Sequence, residues 1–395
     1  MSTGTVELLD DLLPEPGPLQ PDEIAARSPL ELFWRRLKHD KVALTALVFI
    51  GVLVLIALLA GPLVKLFGAH PPNELHPEAL ELPFGTASSP SSDYLFGTDG
   101  LGRDVFSRTL YGARVSLMVA LIATTLVMLI GVTLGMIAGY YRGWVDSFLA
   151  RVIDVMLAFP VLLLALGLGA ACALQGCLKT GSVGRSFIIV GIVMMVVPVA
   201  LAALSQARGK VGFKAVTRED WMLRLAPGAL ILISGIVLSL ISGSKKTLIE
   251  PGLPVVIFVI TISGWPYVAR LIRGQVLSLR EKEFVEAARS LGASDTRIIF
   301  RHILPNLVAP IIVYTTLLIP TNILFEAALS FLGVGVQPPT ASWGAMIADA
   351  QSTFTSAWWY MLFPGLALVF TVLAFNLVGD GLQDALNPKT SKSAR

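Results

Sequence analysis

Charged side chains are scarce in this sequence. Asp, Glu, Lys and Arg make up 14% of the 395 residues, whereas 54% are hydrophobic and the mean hydropathy is +0.74. Soluble domains carry roughly 25% charged residues, so the deficit indicates a protein whose solvent is the lipid bilayer. The net charge of +3, without basic clusters interleaved with aromatics, argues against a nucleic-acid partner.

Patterns for catalysis and metal binding are also missing. No Gly-x-x-x-x-Gly-Lys-Ser/Thr loop occurs, so this chain has no phosphate loop with which to hydrolyse ATP. Two cysteines, Cys172 and Cys177, are interpreted as packing residues, with a disulfide or metal pair as the alternative. The histidines are dispersed along the chain, and we expect neither a metal site nor a bound cofactor. They are His39, His70, His76 and His302.

Long apolar runs, by contrast, are abundant. A helix needs roughly 20 apolar residues to cross a bilayer. Six segments meet this requirement: 42–67, 115–141, 152–174, 253–270, 307–332 and 357–379. Two weaker runs cover 186–205 and 226–243. The sequence therefore predicts an all-α, polytopic transmembrane helical bundle with six core spans and an extra two-helix hairpin.

Basic residues predict the orientation of these spans. They are concentrated before the first span and between Arg270 and Arg301, whereas residues 333–356 contain none. Lys and Arg are enriched in cytoplasmic loops, so we expect both termini and the 271–306 loop to be cytoplasmic. If only one weaker run crossed the membrane, that loop would lie outside. The number of spans is therefore six or eight, and we favour eight.

Glycines repeat every fourth residue within the second span, at Gly131, Gly135 and Gly139. Small residues at this spacing let a neighbouring helix approach closely. We interpret them as helix-packing residues rather than as part of a pore.

The 271–306 loop has a helical pattern of its own. Apolar residues at Phe284, Ala287, Ala288 and Leu291 follow the spacing of one helical face. Gly292 is placed to end that helix with a positive φ. A second short helix is predicted to start at Ser294 and to hold Ile298, and Pro305 is expected to end the loop. Such a hairpin suits either the lipid headgroups or a groove on a soluble partner, and periodicity cannot separate the two.

The sequence of this loop resembles a known pattern. Glu286-Ala287-Ala288, Gly292 and Leu304-Pro305 are similar to the EAA loop of ABC importer permeases. One departure is His302, which stands where isoleucine is usual and resembles the peptide-importer branch of that family. Four further segments resemble the C-type permease subunit of dipeptide, oligopeptide and nickel importers: 97–108, 139–146, 330–339 and 376–382.

The resemblance implies a fold, a function and a set of partners. The fold would be that of a type I ABC importer permease in the bacterial inner membrane. The EAA loop would couple the chain to two ABC ATPase subunits, while a paralogous permease subunit completes the pore and an extracytoplasmic solute-binding protein delivers peptides. Nickel chelates or glutathione are alternative solutes. An ion-driven secondary transporter and an intramembrane enzyme are also considered, but the midplane acids or paired catalytic groups that they need are not evident.

These expectations divide the chain into parts. Residues 1–29 and 389–395 are expected to be cytoplasmic tails, the first one disordered. Residues 30–110 would form a membrane anchor and an external loop, and 111–388 the permease domain with an insertion at 178–252.

Charged residues near the ends of the spans are assigned mainly structural roles. For the acids Asp154, Glu326 and Asp380, solute contact is the alternative. Arg103, Asp104 and Arg108 are expected to fix the external loop.

Overall fold

The part of the chain that the structure describes folds mainly into helices. The computed structural model describes residues 29–80, 86–173, 177–179, 247–249 and 252–386. The N-terminal helices are α1 (Pro29–His39), α2 (Lys41–Leu58), α3 (Ala60–Leu66), α4 (Val105–Tyr140), α5 (Trp144–Ala158) and α6 (Val161–Ala173). The C-terminal helices are α7 (Leu253–Leu279), α8 (Glu283–Ser290), α9 (Asp295–Ile298), α10 (Leu304–Phe331), α11 (Trp343–Ala350) and α12 (Trp358–Leu386). Short 3₁₀ turns occupy Pro77–Ala79 and Gln351–Thr353, and a π-helical turn occupies Ile299–Ile303.

Within these described residues, five helical segments are long and apolar enough to cross a membrane. They are α2, α4, α7, the continuous run from α9 through α10, and α12. The bent pair formed by α5 and α6 would be a sixth. The prediction of an all-α membrane bundle is therefore confirmed.

The third predicted span, 152–174, is wrong as a single helix. The chain bends by 83° between α5 and α6, where Phe159 is extended with ψ of 135°. Pro160 explains the break, because its ring disfavours the helical conformation at the preceding residue.

Aspartate side chains cap the first residues of two spanning helices. The Asp40 carboxylate accepts hydrogen bonds from the backbone N–H groups of Val42 and Ala43, both at 3.0 Å. At the start of α4, Asp104 accepts from the N–H of Phe106 at 2.9 Å and of Ser107 at 3.4 Å. These bonds satisfy donors that have no partner within the helix, and they define where each helix begins.

The glycines of α4 lie directly against α7. A Cβ atom built on Gly131 would lie 2.6 Å from Cβ of Val268, and one on Gly139 would lie 2.6 Å from Cβ of Val276. A Cβ on Gly135 would lie 2.7 Å from the Ala269 carbonyl oxygen. Any larger residue would therefore separate the two helices.

A small antiparallel ribbon brackets the insertion. Strands β1 (Cys177–Lys179) and β2 (Thr247–Ile249) pair with Cys177 opposite Ile249 and Lys179 opposite Thr247. The chain thus leaves this point after β1 and returns to it before β2. The weaker predicted spans at 186–205 and 226–243 lie outside the described residues, as do the side chains of Cys172 and Cys177 and the terminal segments 1–28 and 387–395.

Candidate coupling surface

The predicted loop forms a helical hairpin, which we define as residues 283–303. Its first arm, α8, ends in a Schellman motif: Ala293 N–H donates to the Ala288 carbonyl at 3.1 Å and Gly292 N–H to the Arg289 carbonyl at 2.9 Å. Gly292 has φ of 77°, which confirms the predicted left-handed residue. The hairpin therefore turns where the glycine permits it.

The second arm differs from the prediction. Ser294 stands at the N-terminal cap position of α9, but its side chain makes no capping hydrogen bond. Nor does Pro305 end the loop, because α9 continues through the π-helical turn Ile299–Ile303 into α10. A proline ring clashes with the carbonyl four residues earlier, here that of Arg301, and the wider π turn relieves that clash. The second arm is thus an extension of α10.

One face of the hairpin is buried against the spans. Val285 and Ile298 are fully buried in a cluster with Met136 of α4 and Val276 of α7. Ala288 is 7% exposed in the same cluster. Ala288, predicted as a coupling residue, and Ile298, predicted on the second short helix, therefore pack the hairpin onto its own chain.

The opposite face remains exposed. Leu291 is 88% exposed, Phe300 60% and Phe284 41%. Glu286 and Ala287 are exposed beside them. At the start of α10, Leu304 is half-buried and Pro305 exposed. The structure thus separates the predicted apolar stripe into an inner, buried face and an outer, free face.

Ion pairs surround the base of the hairpin. Arg273 of α7 makes a bidentate contact with Asp146 of α5, with N–O distances of 2.6 Å and 3.0 Å. Arg142 pairs with Glu281, and this guanidinium lowers the pKa of the Glu281 carboxyl below its ordinary value. These contacts connect the α4–α5 loop and the start of α5 to α7 and the segment that follows it, next to the hairpin.

A polar lobe, formed by residues 68–80, 86–104 and 333–357, lies at the other end of α4. Asp99 is 1% exposed and pairs with Arg103 at 2.6 Å and with Arg108 at 3.7 Å. Arg108 also donates to the Pro72 carbonyl at 3.1 Å. Asp104 is fully buried as the cap of α4. The arginines and Asp104 therefore hold this lobe together, in agreement with the sequence-based expectation.

The charged residues of the spans have different environments. Glu326 is fully buried and accepts hydrogen bonds from Ser116 Oγ at 3.0 Å and Ser330 Oγ at 2.8 Å. Asp154 is exposed and pairs with Arg270 of α7. Asp380 is exposed within α12. Among these acids, only Glu326 is buried in the bundle.

Two histidines that sequence reasoning treated as dispersed are in contact. The rings of His70 and His76 have centroids 4.5 Å apart, and His70 stacks on Tyr94 at 4.8 Å. In the sequence, the one indication of this contact is that the two histidines lie six residues apart in the same loop. Among the described residues, no group of three or more His, Cys, Asp or Glu could hold a metal ion.

Comparisons with known proteins agree with this architecture. Residues 131–392 match the family described as binding-protein-dependent transport system inner membrane component. Residues 28–83 match the N-terminal transmembrane domain of oligopeptide transport permease C.

Curated relatives cover nearly the whole chain. A dipeptide transport system permease protein of Alkalihalophilus pseudofirmus is 36% identical over 381 residues, covering 96% of each chain. A glutathione transport system permease protein of Salmonella typhimurium is 38% identical over 371 residues, covering 94% of this chain and 93% of the relative. A solved chain of the MetNI methionine ABC transporter, in an inward-facing conformation, aligns with a TM-score of 0.42 and 15% identity, covering 71% of this chain and 96% of that chain.

The family match and the extent of these identities decide the assignment. Members of this family are non-catalytic membrane subunits that work with ATPase subunits and a substrate-binding protein. The chain belongs to the binding-protein-dependent transport system inner membrane component family, and it is a multi-pass permease subunit of an ABC importer in the inner membrane.

Proposed function

We propose that the hairpin docks in a groove on a partner ATPase subunit through its outer face. The observation that supports this role is the exposure of Leu291, Phe300 and Phe284 while the opposite face is packed on the chain's own core. Burial of each such side chain contributes roughly 1.5–3 kcal/mol before ordering costs. The partner's groove would supply that burial.

The charges of the hairpin favour a protein partner over a lipid surface. Glu283 and Glu286 are both exposed on α8, interspersed with the basic residues Lys282 and Arg289. A helix that lies on anionic headgroups carries mainly basic residues on its polar face. Mixed charge around an apolar centre is instead typical of a protein interface.

Individual residues have distinct roles in this proposal. Glu286, Ala287 and Ala288 form the first arm, with Ala288 holding it to the core while the other two face the ATPase subunit. Gly292 sets the turn between the arms. Leu304 and Pro305 begin α10, so a displacement of the second arm passes directly into a spanning helix. Gly131, Gly135 and Gly139 keep α4 and α7 packed as a pair.

The complete transporter contains further chains. Two ABC ATPase subunits bind on the cytoplasmic side, where both termini and the hairpin lie, and they hydrolyse the ATP. A paralogous permease subunit completes the pore, and a solute-binding protein docks on the polar lobe outside. Binding on both sides shifts one conformational equilibrium between inward and outward access.

The proposed solute is a short peptide. Support comes from the two relatives, one named for dipeptide transport and the other for glutathione, itself a small peptide. Titration of the partner binding protein with dialanine and with glutathione would identify the preferred class. Failure of both peptides to bind would contradict this assignment without affecting the docking proposal.

The docking proposal is tested by Leu291→Glu and Glu286→Lys in the full transporter. Losing the burial of one leucine should weaken capture of the ATPase subunits at least about tenfold, while membrane insertion stays normal. The matched control is Leu75→Glu, since Leu75 is 58% exposed in the polar lobe. If the ATPase subunits are captured equally by all variants, the hairpin is not the docking surface.

A further inference from the structure

The hairpin is connected to α4 by polar contacts that no sequence pattern indicated. Tyr140, the last residue of α4, donates a hydrogen bond from its hydroxyl to Asp295 Oδ1 of α9 at 2.6 Å. These residues are 155 positions apart in the chain. The Tyr140 side chain is itself 7% exposed and packs in the cluster that contains the inner face of the hairpin. The contact is therefore both polar and well packed.

A second contact involves the backbone of the same helix end. Arg280 Nη1 donates to the carbonyl oxygens of Gly139 at 2.8 Å and Tyr140 at 3.2 Å. The last carbonyls of a helix lack partners within the helix, and a cation there also interacts favourably with the helix dipole. Arg280 follows α7 directly and precedes the hairpin. The end of α4 is thus held by one residue before α8 and one after it.

The other end of α4 lies in the polar lobe. Asp104 caps the helix and Arg108 joins the buried ion pairs around Asp99. The 36 residues of α4 extend about 54 Å, well beyond a hydrocarbon core of about 30 Å. One unbroken helix therefore connects the lobe with the hairpin.

We propose that Tyr140, Asp295 and Arg280 form a joint through which movement of the hairpin reaches α4 and the polar lobe. The proposal rests on the docking function of the hairpin. Tyr140 acts as a positioning residue, through its contact with Asp295 of the hairpin. Without its hydroxyl, the second arm would still be joined to α10, but its displacement would no longer be passed directly to α4.

The test uses the intact transporter in proteoliposomes with its ATPase subunits, paralogous permease and binding protein. Tyr140→Phe removes the hydroxyl and keeps the ring that packs in the core. The readout is the ratio of ATP hydrolysis with and without the binding protein, loaded from a mixture of dialanine, trialanine and glutathione. Loss of one hydrogen bond to a carboxylate should lower this ratio about threefold to tenfold, while capture of the ATPase subunits is unchanged.

Matched variants separate the joint from a general loss of stability. Tyr141→Phe is the control, because its hydroxyl makes no hydrogen bond among the described residues. Asp295→Asn keeps an acceptor oxygen and should retain most of the coupling, whereas Asp295→Ala should resemble Tyr140→Phe. The double variant Tyr140→Phe with Asp295→Ala should be no worse than either single change.

The joint would be overturned if the stimulation ratio of Tyr140→Phe stayed within about twofold of the wild-type value. Such a decrease is smaller than the loss of a hydrogen bond should produce. Loss of ATPase capture in this variant would also overturn it, because Tyr140 would then act in docking or folding. The docking proposal fails by a different observation, namely normal capture in Leu291→Glu and Glu286→Lys.

Discussion

The hairpin and the polar lobe, at opposite ends of α4, use their side chains in contrasting ways. In the lobe, charged residues are buried: Asp99 is 1% exposed and Arg103 8%. In the hairpin, apolar residues are exposed: Leu291 at 88% and Phe300 at 60%. The lobe thus pairs its buried charges internally, whereas the hairpin leaves apolar surface exposed among the described residues. Exposed apolar surface of this kind is what the proposed docking of the hairpin on a partner requires.

The largest effect is expected for Asp99→Ala, which tests whether the buried charges stabilise the lobe. This change leaves Arg103 and Arg108 buried without their common carboxylate, which should cost about 3–5 kcal/mol of folding stability. The midpoint of thermal unfolding of the purified protein in detergent should fall sharply.

Asp349 supplies the matched control for that change. Its side chain is 44% exposed and lies 3.9 Å from Arg103. Asp349→Asn keeps an acceptor for the Tyr360 hydroxyl, which lies 3.3 Å away, so this change should cost less than about 1 kcal/mol. Equal effects of the two substitutions would show that burial of the lobe's charges does not matter.

The two faces of the hairpin are compared by Ile298→Ala and Leu291→Ala. Ile298 is fully buried, so its truncation should leave a cavity and cost about 2–5 kcal/mol. Leu291 is largely exposed, and its truncation should leave the unfolding midpoint nearly unchanged while weakening ATPase capture. If Leu291→Ala destabilises the isolated subunit as much as Ile298→Ala, the outer face is not free.

A smaller effect is expected where α4 packs on α7. Gly139→Ala places a Cβ 2.6 Å from Cβ of Val276, and such overpacking costs about 1–3 kcal/mol. Gly274→Ala, on α7 itself, is the control, because a Cβ there meets nothing within 4 Å. Thermal unfolding should separate the two variants. A destabilisation by Gly274→Ala equal to that by Gly139→Ala would argue against close packing as the cause.

Local sequence signals predicted several features correctly. Gly292 adopts the positive φ expected at the end of an apolar helical stripe. The glycine spacing in α4 places all three residues against α7, because a repeat of four residues keeps them on one face. Such features depend on residues within a few helical turns of each other, and these residues can be read directly from the sequence.

Other predictions failed where a second element intervenes. The sequence groups Ala288 with Phe284 and Leu291 in one apolar stripe, but Ala288 is buried on the chain's own core while the other two stay exposed. Pro305 was expected to end the loop, but the preceding π turn accommodates the proline ring and the helix continues. Helical periodicity shows which apolar residues share a face, but it does not show which surface that face packs against.

The amino-acid sequence was sufficient to establish the lipid environment, the apolar runs that cross it and the presence of a hairpin between two of them. These conclusions follow from composition and from the roughly 20-residue length that a bilayer imposes. Tertiary structure decided which hairpin residues stay exposed, that Tyr140 meets Asp295 and that Ser116 meets Glu326. Such contacts join residues far apart in the chain, and they exist only after the helices have packed against each other.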